Sequence, residues 1–248
     1  MKMVDIASNL QVIRDKIAAA SVKRAAEYKH FEPCLVAVGK IHPAESIIRA
    51  YEAGQKHFGE NYVNELEEKA NNPEILEQCK EIHWHFIGHL QQNKVNKLLK
   101  IPNLYMVETV DSEKIATALN NSWPKFRGDV DTKLKIMVQV NTSREEAKSG
   151  CELENTSTMV KYILDQCPNL EFKGLMTIGE YGYDMSRGPN PDFVKLKECK
   201  EKVCNKLDLD VKEVELSMGM STDFEHAIEL GSSYVRVGTA IFGERPKK

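Results

Sequence analysis

"CLVAVGKIHPAESIIRAYEAGQKHFGE", residues 34–60, contains the unit from which the fold is read. A short apolar run at 34–39 passes through a lysine and a turn into a helical stretch at about 43–53, and a second short run follows at 56–60. Two strands joined in this way are parallel, because a parallel pair needs a long crossover where an antiparallel pair needs only a hairpin. The same alternation continues along the chain. A helical stretch at 62–71 follows the second run. Runs at 84–90, 104–110, 134–141, 172–179 and 211–219 are then followed by helical stretches at 91–99, 112–121, 153–165, 191–207 and 222–230. An eighth run, "SYVRVG" at 233–238, closes the series.

Eight such units in about 210 residues predict an α/β fold, a closed (β/α)8 TIM barrel. The expected organisation is one domain over residues 1–248, with an extra amphipathic helix at 4–28 in which Ile6, Leu10, Ile13 and Ile17 recur at helical spacing. A doubly wound open sheet is the alternative. Its dinucleotide-binding form requires G-x-G-x-x-G after the first strand, and no such motif stands there.

Composition narrows the function classes. With 34 basic against 37 acidic residues the formal net charge is -3, so no electrostatic signal points to nucleic acid or an anionic membrane. The six cysteines, at 34, 79, 151, 167, 199 and 204, form no C-x-x-C pair and read as free thiols of a reducing compartment. The opening "MKMVDIASNL" lacks the apolar core of a signal peptide. A cytoplasmic protein is expected, with association with mitochondria left open.

In a barrel, residues at the carboxyl ends of strands face the active-site mouth. Lys40 directly follows the first apolar run, so it reads either as a solvated loop lysine or as an amine set against apolar walls and able to condense with an aldehyde. After the seventh run, "SMGMSTDFE" places Ser221 in a tight turn, with Thr222 or Asp223 positioned to cap the next helix. After the eighth, Gly238 and Thr239 open another loop. Backbone amides joined by two hydroxyls form a phosphate cradle without net positive charge, and barrels often place one after strands seven and eight. Arg236 interrupts an apolar strand and points away from Val235 and Val237; it is either half of a structural ion pair or a permanent donor to a ligand. Asn61 ends the second run, where ligand contact and helix capping are both open. His83, His85 and His89 lack the H-E-x-x-H pattern or companion cysteines of a zinc site, and His85 and His89 are expected to line the mouth. The loop richest in Gly and Pro, 179–191, is a lid candidate.

The stretches "FGENYVNEL" 58–66, "WHFIGHLQQNKVNKL" 84–98, "PNLEFKGLMTIG" 168–179 and "ELSMGMSTDFEHAIELGSSYVRVGTAIFGER" 215–245 closely resemble the pyridoxal phosphate homeostasis protein family. Members of that family look like the barrel half of bacterial alanine racemase. The resemblance implies that Lys40 forms the internal aldimine with pyridoxal 5'-phosphate and carries the modification. It implies further that Ser221, Gly238 and Thr239 bind the phosphate, that Arg236 faces the pyridine nitrogen, and that Asn61 lies near the cofactor. An arginine facing the ring nitrogen leaves the ring unprotonated and a weak electron sink. Around Lys40 the family usually reads a serine before and Thr-Lys-Pro after, where this chain has Gly39, Ile41 and His42.

The function this implies is a carrier or reservoir of pyridoxal phosphate in vitamin B6 homeostasis rather than an enzyme. It would be a monomer whose partners are the cofactor and apo-enzymes that receive it. The racemase's second domain, with its opposing tyrosine base, is not expected after residue 248. The alternatives are a weak racemase or lyase using Tyr181 or Tyr183 as second base, and a cofactor-sensing interaction protein.

Overall fold

The computed structural model describes residues 4–128, 130–145, 148–180 and 182–244. Eight strands form the barrel: β1 Cys34–Val38, β2 His57–Glu60, β3 His83–Phe86, β4 Leu104–Val110, β5 Leu134–Gln139, β6 Leu170–Met176, β7 Glu215–Ser217 and β8 Tyr234–Val237. Each pairs in parallel with its neighbours in sequence, and β8 returns to β1 through the register Leu35 to Val235 and Ala37 to Val237. The expected closed (β/α)8 barrel is therefore the fold.

The helices are α1 Ile6–Lys23, α2 Ala44–Glu52, α3 Val63–Ala70, α4 Pro73–Gln78, α5 Val95–Leu99, α6 Glu113–Ser122, α7 Thr156–Gln166, α8 Pro191–Leu207, α9 Phe224–Glu229 and α10 Thr239–Phe242. Among the described residues, no helix is long and apolar enough to cross a membrane. The N-terminal helix has a structural role in closing the ring. Because α10 has only four residues, it covers little of the seam between β8 and β1. The buried face of α1, Ile6, Leu10, Ile13 and Ile17, packs there against α9, α10 and α2. Asn9 Nδ2 fixes its height by donating to Ile241 O at 2.9 Å. Each of these aliphatic side chains contributes roughly 1.5–3 kcal/mol when fully buried.

Several boundaries differ from the sequence reading: the helix expected at 4–28 ends at Lys23, and the strand expected at 172–179 is shifted to Leu170–Met176. The strand expected at 84–90 stops at Phe86: the chain turns over the mouth, and Thr109 Oγ1 donates to Gly88 O at 2.6 Å. The run 211–219 shrinks to three strand residues because 208–213 is committed to turns. There Asp208 takes a left-handed cap (φ 54) and the Asp210 carboxylate accepts the Lys212 amide at 2.9 Å. Helix α4 was not anticipated, although Asn72 and Pro73 carry its start signal: the Asn72 side chain accepts the Glu74 and Ile75 amides.

The barrel separates two interiors. Between sheet and helices lies a continuous apolar layer that includes Phe58, Trp84, Phe86 and Phe193. Inside the barrel a second, smaller cluster is built by Val36, Met106, Met137, Met176 and Tyr234. The remaining interior positions are polar, and they form the floor of the mouth.

Candidate functional site

At the carboxyl ends of the strands opens a cavity of about 740 Å3. Lys40, Asn61, Ser221, Arg236, Gly238 and Thr239 all line it, so the fold brings together residues from four separate strand ends. A smaller space of about 240 Å3 adjoins it and shares Asn61, Ile87 and Ile178 as walls.

Lys40 is half-buried, and its amine lies 5.1 Å from the Tyr62 ring centroid, within cation–π range. Among the described residues no carboxylate or carbonyl accepts from it. The backbone that presents it is strained: Ile41 sits at φ 69, a left-handed conformation that a β-branched residue rarely takes. Glu65 holds this turn by accepting the Ile41 amide at 2.5 Å, and the His42 amide closes it onto Gly39 O at 2.9 Å. Behind the turn, buried Lys69 donates to Glu60 Oε1 (2.7 Å), Glu65 Oε1 (2.7 Å) and Gly39 O (2.8 Å). One lysine is thus consumed as structural glue, and its neighbour is left uncommitted.

The departure at position 39 has a steric reason. A Cβ on Gly39 would stand 2.5 Å from Ile47 Cδ1 and 2.7 Å from Glu60 Oε1. Glu60 is wholly buried, and burial raises its pKa to about 7 against the pull of Lys69; its Oε2 has no hydrogen-bond partner.

The opposite wall comes from the loops after β7 and β8. Gly219, at φ 94, turns the chain so that its carbonyl accepts the Arg236 amide at 3.0 Å. Ser221 Oγ accepts the Gly238 amide at 3.3 Å and ties the two loops together. Asp223 occupies the N-cap position of α9, but its carboxylate binds back to the Met220 amide at 2.7 Å instead of capping the helix. The amides of Ser221, Thr222, Thr239 and Ala240 donate to no acceptor among the described residues, and all four residues line the cavity. Four free amides with two hydroxyls fit a phosphate group.

Arg236 forms the floor. Nη1 donates to Ser217 Oγ (2.6 Å) and Nη2 to Thr177 O (2.7 Å), which leaves three of its five N–H donors for other acceptors. Ser217 Oγ in turn donates to Glu108 Oε2 at 2.6 Å, and Glu108 Oε1 accepts from His85 Nδ1 at 2.7 Å. His85 Nε2 lies 2.8 Å from His57 Nδ1, so a hydrogen-bonded chain of five side chains runs through the barrel from the mouth towards its far end. Burial alone would raise the Glu108 pKa; the His85 hydrogen bond and charge, Arg236 and Ser217 outweigh it and hold the carboxyl below its ordinary value. His57 is pushed down to about 3 by burial and by the charges of His85, His83 and Lys135.

Other expected residues fall elsewhere. His85 does not line the mouth: the register that sets it beside Gly59 and Met106 turns it into the interior, where it is buried against Glu108. His89 does reach the rim, 57% exposed, and bonds Ser149 Oγ at 3.0 Å. Tyr183 is half-buried and does not line the Lys40 cavity, and Tyr181 lies outside the described residues. Among the described residues no group of three or more His, Cys, Asp or Glu is placed to hold a metal.

The chain is similar to known proteins over nearly its whole length. Residues 5–246 match the family described as alanine racemase, N-terminal domain. The human pyridoxal phosphate homeostasis protein is 53% identical over 236 residues, covering 95% of this chain and 85% of that one. The protein of the same description from Vibrio cholerae is 38% identical over 98% of both chains. Among solved structures, PipY of Synechococcus elongatus with pyridoxal phosphate bound superposes with a TM-score of 0.76 at 28% identity, over 96% of this chain and all of that one. Alanine racemase from Corynebacterium glutamicum, 16% identical with a TM-score of 0.58, shares the fold over 94% of this chain and 61% of its own.

Proposed function

This chain belongs to the pyridoxal phosphate homeostasis protein family, and we propose that it holds pyridoxal 5'-phosphate as a Schiff base on Lys40. In this role it serves intracellular vitamin B6 homeostasis as a carrier and reservoir without substantial racemase activity. One observation carries the reading: Lys40, an amine without a hydrogen-bond or ion-pair partner among the described residues, shares a cavity of about 740 Å3 with four backbone amides that likewise have none there. When bound, the group supplies a reactive aldehyde. The chain's residues do the rest. The Ile41 turn and the Glu65 clamp aim Lys40, the amides after β7 and β8 hold the phosphate together with Ser221 and Thr239, and Asn61 and Arg236 contact the ring. Arg236 donates rather than accepts, so it stabilises an unprotonated ring nitrogen.

Racemisation requires acid–base groups on both faces of a substrate. Among the described lining residues, the ionisable groups besides Lys40 are Arg236, a permanent cation, and Glu244. Release follows from the chemistry of an imine, which water or another amine displaces, and the recipients proposed are apo-enzymes that use the cofactor. The barrel buries its sheet without a partner, which supports a monomer, and we place the protein in the cytoplasm, with mitochondrial association included in the proposal.

The test is a visible absorption spectrum of the protein loaded with pyridoxal phosphate, followed by borohydride reduction and peptide mass mapping. The expected result is a visible band and a reduced adduct on Lys40, both absent in Lys40→Ala. An unmodified Lys40 with the band intact would overturn the assignment. Exchange of an amino acid's α-hydrogen with solvent at turnover rates would replace the carrier reading with an enzymatic one.

A further inference from the structure

A second cavity, of about 530 Å3, lies on the barrel's flank at the opposite end from Lys40, between the carboxyl-terminal half of α8, Tyr28 and the turns that lead into β7. It shares no lining residue with the Lys40 cavity. Its size is that of small-molecule sites in general. Tyr28, Leu209, Val211 and Leu216 supply apolar walls, and Val211 is one of the chain's exposed large apolar side chains.

The ionised groups around it can be paired off. Lys197 is taken by Glu27 (3.4 Å) and Glu201 (4.0 Å) and lies over the Tyr28 ring at 5.2 Å. The Asp210 carboxylate is used by the Lys212 amide at 2.9 Å. Both ring nitrogens of His30 face backbone carbonyls, those of Glu27 and Lys212. Two amines remain, those of Lys200 and Lys212, and neither has a hydrogen-bond or ion-pair partner among the described residues. Lys200 is the unusual one. It is only 6% exposed, yet it lines the cavity, and the carboxylates of Glu201 and Glu215 act on it without forming an ion pair. Burial of the side chain lowers its pKa. The side chain is mostly covered while its ammonium stays open to the cavity, where an anion brought to it gains a charge partner and the apolar walls favour an anion with an apolar body.

We propose that this flank cavity binds a small organic carboxylate, with Lys200 as its charge partner, Lys212 at the rim, and the acyl body against Leu209, Val211 and Leu216. The proposal is independent of the pyridoxal phosphate reading, because no residue is common to the two sites.

Hexanoate is a suitable probe. The full-length protein is titrated with hexanoate and followed through its backbone amide NMR signals. Saturable shifts are expected at Cys204, Leu209 and Leu216, with a dissociation constant of about 1 mM or tighter. Lys200→Met, which keeps the side chain's bulk, should weaken binding about tenfold or more, the worth of one charge-assisted hydrogen bond. Lys212→Met should weaken it by less than about fivefold, as a solvent-exposed charge would. Lys40→Ala should bind hexanoate like the wild type, which separates this site from the mouth. Retained binding in a folded Lys200→Met protein would overturn the proposal, as would equal affinity for hexan-1-ol or inorganic phosphate. Absence of saturation, or shifts centred on Ser221 and Thr239, would overturn it too.

Discussion

Glu60 and Glu108 are both wholly buried carboxyls near the mouth of one barrel, and their pKa values move in opposite directions. Glu60, behind the Lys40 turn, has one oxygen served by Lys69 and the other orphaned, so burial prevails and raises its pKa to about 7. Glu108, beneath Arg236, has both oxygens served, one by His85 and one by Ser217, and it is held below the ordinary value. The difference teaches that depth does not decide the charge of a buried carboxyl; the count of donors on its two oxygens does. The two sides of the site are accordingly built on different terms. Arg236 rests on a fixed charge, and the Lys40 turn rests on a carboxyl that gains or loses a proton near neutrality.

The widest separation should come from paired substitutions. Glu108→Gln removes the larger of the two counter-charges acting on Arg236, leaving Asp223, and removing one partner from a buried ionic network costs about 3–5 kcal/mol. Urea unfolding at neutral pH would read that loss. Glu60→Gln replaces a group already close to its neutral form, so the same measurement should find it as stable as the wild type or more so. If both variants lose stability equally, the contrast between the two carboxyls is broken.

The next effect is on pH dependence, where the two groups carry opposite signs. The folded-state pKa of Glu108 is depressed, so its contribution is present above the unfolded value of about 4.5 and is lost as pH falls through the folded value. Glu60 is raised, so the native state binds the extra proton. Its contribution is full below about pH 4.5 and declines as pH rises to about 7. Over much of this range the depressed His57, protonated only in the unfolded state, makes stability rise with pH and opposes that loss, so the Glu60 effect is read as a difference: the gain of Glu60→Gln over the wild type should grow from pH 5 to 7 and reach on the order of 1–3 kcal/mol at pH 8. Denaturant midpoints at several pH values check this. A difference between the two proteins that stays constant over that range would mean that water or a shifted Lys69 serves the orphaned oxygen.

The sequence disclosed these two regions unequally. The eight strands were legible because parallel strands buried on both faces read as continuous apolar runs, and "LYMVETV" or "CLVAVG" need no partner to be recognised. The cradle after β7 and β8 was legible for a local reason: its donors are backbone amides of the same short loops that carry Ser221 and Gly238. The support of Lys40 was not. Glu65 and Lys69, four apart on α3, look like an ordinary solvated helix pair, and only the packing of α3 against the β1 turn converts them into a clamp. Glu108 and His85 did leave a signal, each being a polar residue in an apolar strand. Their pairing required the barrel register, which also turned His85 away from the mouth.

The smallest expected effect concerns Gly39, where the family resemblance leads one to expect a serine. Of the atoms that a Cβ would meet, Ile47 Cδ1 is the end of a flexible side chain and can rotate away, and Glu60 Oε1, held by Lys69, must shift by a few tenths of an ångström, so Gly39→Ser should fold at a cost. Crowding typically costs about 1–3 kcal/mol. Against it stands the new hydroxyl, whose Cβ lies beside Glu60 Oε1, and a hydrogen bond from it to the ionised carboxylate returns roughly 1.5–3 kcal/mol. The two terms nearly cancel, so overall stability is a poor readout and the pH profile a sensitive one. A serine that donates to Glu60 favours its ionised form, lowers its pKa from about 7, and shifts the Glu60 share of the pH dependence to lower pH. An unshifted profile would show that the hydroxyl turns elsewhere, and that glycine at this position serves the fit of Ile47 rather than the charge state of Glu60.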